Sequence, residues 1–120
     1  IDLTNAVGVA LALATAQWRE PAAFDKASAP VLRVAPGRTI VLALTNNGAT
    51  PATFHLHGHH FRLLDRLDDG WKPFWLDTLL LDAGQSQLVA FAANYPGAWL
   101  MEMMRPDWSA PVRAHWFAVE

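Results

Sequence analysis

Four of the five histidines in this 120-residue chain, His55, His57, His59 and His60, fall within the six-residue run HLHGHH. Alternate side chains of a β-strand share a face, so His55 and His57 are expected to project together while Leu56 points the other way, into a core. Two imidazoles on one strand face can ligate one metal ion or bridge to neighbouring ions, and imidazole suits copper, zinc, iron and nickel. A strand histidine is also commonly a hydrogen-bonded, partly buried residue, and the spacing alone leaves both readings open. Closed structural metal sites use four protein ligands and open ones three. This segment supplies two, so any remaining ligands must come from elsewhere. His115, in RAHWF, is the fifth histidine and reads equally well as part of an ordinary terminal strand. Gly58 lets the backbone turn or be approached closely, after which His59 and His60 fall on opposite faces.

The elements that must position this run are short and β-like. PVLRVAPGRTIVLALTNNG places two apolar runs around Pro36-Gly37 and ends at the turn signal Asn46-Asn47-Gly48. In TIVLALTN, Ile40, Leu42 and Leu44 alternate with Val41, Ala43 and Thr45, the pattern of a strand buried on both faces. FHLHGHHFRLLDRL follows and ends at Asp68-Asp69-Gly70. WLDTLLLD, QLVAFAAN, AWLMEMM and RAHWFAVE come next, separated by Ala83-Gly84, Tyr95-Pro96-Gly97 and the stretch from Pro106 to Pro111. Regular strands with Gly, Pro and Asn turns predict one all-β domain, an antiparallel sandwich or barrel. AVGVALALATA has the length of a signal-peptide core, but its flank IDLTN carries Asp2 and no basic residue. It is too short to span a bilayer. The run reads as a buried edge-to-core strand, with an alanine-rich helix as the alternative. The chain does not begin with Met, which suggests a fragment or a processed chain.

Composition excludes several classes of function. Charged residues make up 17% of the chain and hydrophobic ones 52%, the balance of a globular domain. The net charge is -2 and no Lys/Arg run occurs, so neither a nucleic-acid footprint nor a polybasic membrane patch is expected. There is no cysteine, which removes disulfides, thiolate catalysis and thiolate-bound metals. No Ser-His-Asp spacing, phosphate-cradling glycine loop or catalytic carboxylate pair stands out, and Asp77-Thr78 reads as a polar pair at a strand end. No catalytic residue is assigned. Trp71, Trp75, Trp99, Trp108 and Trp116 are expected at strand ends and turns, capping a sandwich or facing a neighbouring domain.

VAPGRTIVLALTNNGATPATFHLHGHHFRLLD, followed by WLDTLLLDAGQSQLVAFAANYPGAWL, resembles the C-terminal cupredoxin domain of the laccase-like multicopper oxidases. The matching pieces are the Pro36-Gly37 turn, HLHGH with Phe61, Asp77-Thr78, the Gly84 turn, and the corner from Asn94 to Trp99. The resemblance is dense over about the last 90 residues, and the first 30 fit an opening strand and its crossover. It implies a cupredoxin-like Greek-key β-sandwich, with residues 1–120 forming a single domain, the C-terminal domain or a fragment of a larger multidomain protein. It also implies that His55 and His57 are one of the four His-x-His pairs of a trinuclear copper cluster, and that His59 is a non-ligating neighbour that holds a loop or orients a ligand. By the same resemblance, the type 1 copper ligands should lie at Ala52, Met103, Trp108 and near Arg113. None of these is a ligand of that type, and where the family carries His-Cys-His this chain reads Glu102-Met103-Met104.

The resulting expectation is a metal site at His55 and His57 that holds copper at an interdomain or intersubunit face, with no type 1 blue centre. Zinc at the same pair and a copper-free scaffold domain are the alternatives. Implied partners are other cupredoxin domains or subunits, with no nucleic acid and no membrane insertion. The family suggests an exported, periplasmic protein of the oxidoreductase type, and leaves open whether this chain is an enzyme. Glu102 could add a carboxylate ligand, but its plainer reading is a solvated strand charge or a salt bridge to Arg62 or Arg105. Met101, Met103 and Met104 are expected mainly to pack core and loop. His60 is expected at the surface.

Overall fold

Side-chain alternation along the two longest central strands sets the inner wall of one layer. In a computed structural model, which describes residues 3–15, 18–19, 29–64, 75–105 and 112–120, β3 (Arg38–Thr45) pairs antiparallel with β7 (Ser86–Ala93). The register sets Ile40 opposite Phe91 and Leu42 opposite Val89, and all four are fully buried. β1 (Val7–Ala12) and β5 (Arg62–Leu63) flank this pair, giving a four-stranded sheet in the order β1-β3-β7-β5. The opposing sheet has the order β2-β9-β8-β4-β6, from β2 (Arg33–Val34), β9 (Arg113–Val119), β8 (Gly97–Met104), β4 (Ala52–Leu56) and β6 (Thr78–Leu81). From β3 to β8 the chain alternates between the sheets, as a Greek-key sandwich requires. The alanine-rich run forms an edge strand with no α-helix in its place. It is not the buried strand expected: of β1 only Leu11 is buried, because an edge strand of the sandwich leaves its outer face to solvent.

Three further expectations need correction. Two pairings are parallel, β1 with β3 and β2 with β9, because the chain between β1 and β3 crosses to the other sheet and returns in the same direction. β3 is buried on one face only: Val41, Ala43 and Thr45 are half-exposed on the outer side, since a sandwich covers only the inner face of each sheet. FHLHGHHFRLLDRL is not one strand. β4 ends at Leu56, Gly58 turns the chain, and β5 lies in the other sheet. The expected turns at Asp68-Asp69-Gly70 and beyond Pro106 lie outside the described residues, as do Trp71 and Trp108.

The core joins both sheets through aromatic rings. Phe91 of β7 and Phe117 of β9 lie 5.5 Å apart between centroids, and Phe54 of β4 contacts Phe61 at 6.0 Å. Burying such side chains contributes roughly 1.5–3 kcal/mol each. Trp18 was not singled out by its sequence, yet it is fully buried edge-on against Phe54 and donates from Nε1 to Ala12 O at 3.0 Å. Trp116 sits in mid-strand under the Arg33 guanidinium and not at a strand end, whereas Trp75 is exposed beside Arg62. Asn46 clamps the corner after β3, donating to Thr50 O at 2.8 Å and Leu81 O at 3.1 Å and accepting from Gly48 N at 3.0 Å.

His115 belongs to this core. Its ring packs edge-on against Trp18 at 5.7 Å, and its Nδ1 accepts from the Trp116 backbone N–H at 3.0 Å, so in the neutral ring the hydrogen sits on Nε2. Burial, and then the nearby Arg19 cation, hold its pKa below the usual imidazole value. Near pH 7.5 both folded and unfolded chains keep this ring neutral. As pH falls through about 6.5 the unfolded chain takes up a proton that the folded chain resists, so stability is lost toward acid. Urea denaturation between pH 7.5 and 5 should therefore show a decline that flattens in His115→Phe. Parallel pH profiles for the two proteins would contradict this account.

Candidate metal centre

β4 buries Ala52, Phe54 and Leu56 and turns Thr53 and His55 to the outer face of the five-stranded sheet. His57 lies one residue past the end of β4, but its backbone N–H still reaches Leu100 O at 3.1 Å, which extends the ladder and keeps the alternation. The two imidazoles consequently lie side by side, ring centroids 4.6 Å apart and planes tilted by 49°. Their side chains are 29% and 40% exposed, so neither is a core histidine.

The neighbouring strand supplies a third group. In the β4–β8 register Glu102 lies directly across from His55. Its Oε1 is 3.3 Å from His55 Nδ1 and also contacts His57 Nε2. The expected alternatives for this carboxylate, a solvated charge or a bridge to Arg62 or Arg105, are therefore corrected. It is only 19% exposed, and among the described residues its ion-pairing partners are the two histidines. One ligand atom from each of His55, His57 and Glu102 falls within 4.8 Å of the others, and theirs is the only cluster of this kind among the described residues. Only the family resemblance pointed to Glu102 as a possible ligand, because nothing local reveals which residue of a partner strand comes to lie opposite.

The other candidates are placed elsewhere. His115 faces the core across from Met101, on the side of the sheet opposite the pair. His60 is exposed, as expected. His59 is buried, and its Nδ1 lies 3.0 Å from His57 O; because a carbonyl only accepts, Nδ1 carries the hydrogen. Trp99 stands edge-on to the His59 ring at 4.9 Å, with Phe91 at 5.3 Å and Phe117 at 5.5 Å. His59 thus ties down the backbone of His57, the holding role expected of it. Met101 is fully buried and Met103 packs against the core. Thr78 Oγ1 donates to Asp77 Oδ1 at 3.0 Å, the polar pair expected at a strand end.

The positions implied for a type 1 copper carry no such ligands. Ala52 is buried, and with Met103, Asn46 and Arg105 it lines a shallow cleft of about 100 Å³. Arg113 donates from Nη1 to Trp18 O at 3.5 Å, a structural contact. Trp108 lies outside the described residues. A blue copper centre needs two imidazoles and a thiolate, so this donor set does not fit one.

Gly58 holds the turn that separates His57 from His59. Its φ is +73°, and a Cβ there would lie 2.6 Å from Trp99 Cε3. Gly58→Ala combines left-handed backbone strain with displacement of Trp99, and should destabilise the chain by about 2–4 kcal/mol. Chemical denaturation measures this, and a loss under about 0.5 kcal/mol, typical of neutral surface changes, would show that the turn is not fixed by these contacts.

Comparison with known proteins agrees with this architecture. A family model described as multicopper oxidase matches residues 5–103. Laccase-12 of Oryza sativa subsp. japonica is 35% identical over 78 residues, covering 62% of this chain and 14% of its own length. The crystal structure of Lac15, from a marine microbial metagenome, aligns with a TM-score of 0.68 at 28% identity, over 93% of this chain and 26% of that one. A multi-copper oxidase from Pseudomonas thermotolerans aligns over 99% of this chain and 31% of its own, with a TM-score of 0.74; at 22% identity that likeness concerns the fold alone. The chain therefore spans well under half the length of these relatives, and the sandwich is the cupredoxin-like one expected. With the family pattern running through the strands that carry the histidine pair, this chain belongs to the multicopper oxidase family.

Proposed function

We propose that this chain is a copper-holding cupredoxin domain of a larger multicopper-oxidase-type protein, binding its ion through His55 and His57 and lacking a type 1 blue centre. The observation that carries the reading is the pair itself: two half-exposed imidazoles side by side on an outer sheet face, 4.6 Å between centroids. Two neutral imidazoles beside a carboxylate suit a copper ion, and the same donors also take zinc. Bound copper would supply a one-electron redox couple. The chain's own part is to hold and orient: the strand ladder fixes the spacing of the rings, and His59 fixes the carbonyl of His57. The exposure of the pair suits completion of the site by another cupredoxin domain or subunit. The family's long-range delivery of electrons through a thiolate centre has no counterpart here, because the chain has no cysteine. Among the described residues no helix is long and apolar enough to cross a membrane, and an exported, periplasmic location is part of this proposal.

A second reading, a copper-free scaffold domain, is favoured by one observation. Glu102 already contacts both imidazoles and satisfies them without an ion. Adding Cu(II) to the chain should give one bound equivalent without an intense blue band, and His55→Ala/His57→Ala should lose that equivalent. Equal stoichiometry in wild type and double variant would favour the scaffold, and an intense blue band would contradict the absence of a type 1 centre.

A further inference from the structure

We infer that Glu102 is a metal ligand, and that with His55 and His57 it makes a mononuclear divalent-cation site contained within this one chain. The inference rests on the histidine-pair reading and extends it. A pair on one strand offers two donors, too few for either a closed or an open site. Cross-strand register adds the third: Glu102 lies opposite His55, and one of its oxygens reaches both His55 Nδ1 and His57 Nε2. Two ligand atoms about 2 Å from one ion lie roughly 3–4 Å apart. The three donors here fall within 4.8 Å of one another.

Charge and surroundings point the same way. A carboxylate that is 19% exposed, with no Arg or Lys in salt-bridge range among the described residues, has only imidazole edges to balance it. A divalent cation between the three would meet one negative charge and two neutral nitrogens. Two imidazoles and a carboxylate form a borderline-to-hard donor set that suits Cu(II) or Zn(II), whereas Cu(I) selects soft sulfur. The sulfurs of Met101 and Met103 belong to the core side of the sheet, and Met104 lies on the outer face one pair along from Glu102, across from Thr53. Three protein ligands leave a coordination position open, on the exposed face of the sheet. This arrangement differs from a half-cluster that waits for a second His-x-His strand: the chain would bind an ion unaided.

The test is a competition titration of Cu(II), and separately Zn(II), into the chain, with Cu(II) electron paramagnetic resonance as a second readout. Wild type should bind one equivalent, with a spectrum showing two nitrogen ligands. Glu102→Gln should weaken binding about tenfold or more and alter the copper spectrum, and Glu102→His should restore one tight equivalent with three nitrogens. Far-UV circular dichroism checks that each variant folds. Should Glu102→Gln fail to fold, Glu102→His decides alone: a copper spectrum that still shows only two nitrogens would place position 102 outside the coordination sphere and overturn the role of Glu102. Glu102→Gln with wild-type affinity and spectrum would overturn the role of Glu102 while leaving the histidine pair intact. Wild type with no stoichiometric ion would overturn both.

Discussion

The outer-face site depends on the parity of β4 against β8. Phe54, Leu56 and Met101 are sealed inside the sandwich, and because a strand alternates every residue, that burial forces His55 and Glu102 outward on the other face. A slip of β4 by one residue against β8 would turn the histidine face into the core, where an unpaired imidazole is costly, and would expose the fully buried Phe54 and Leu56. The hydrophobic core therefore selects the register, and the register brings together groups 45 and 47 residues apart. The corner at Gly58 serves the same end. Trp99 closes over a glycine that has no room for a Cβ, and His59 anchors His57 beyond the last regular pair of β4.

The two faces of β8 have diverged differently from the family pattern. On the inward face Met103 and, from β4, Ala52 fill space as apolar residues beside a small cleft, at positions where the resemblance implied copper ligands. On the outward face Glu102 keeps a donor atom beside the histidine pair. A buried position that loses its metal can be filled by apolar volume at little cost, because tight packing is what a core requires. Half-exposed imidazoles instead need either solvent or a polar partner, and the carboxylate is that partner. The outward face of this strand pair thus gathers donor atoms, and the inward face gathers apolar packing.

Much of this was legible in the run from Pro36 to Trp99. Strand alternation, the Pro36-Gly37 and Gly84 turns and the absence of cysteine all act locally, through side-chain period, positive backbone φ and ligand chemistry. The shared face of His55 and His57 follows from spacing alone. Trp18 and His115 were less legible, since an isolated aromatic or imidazole carries no mark of which sheet face it meets. The parallel edges were likewise hidden, because they depend on a connection that changes sheets.

The amino-acid sequence by itself determined an all-β chain, a histidine pair on one strand face, and the impossibility of a thiolate copper centre. Only the tertiary structure decided that Glu102 pairs with the two histidines and not with Arg62 or Arg105, that His115 turns into the core, and that His59 holds the carbonyl of His57. The division has a physical cause. Period and composition are properties of one segment, whereas the group opposite a side chain is set by register between segments, and register is chosen by the burial of the whole core.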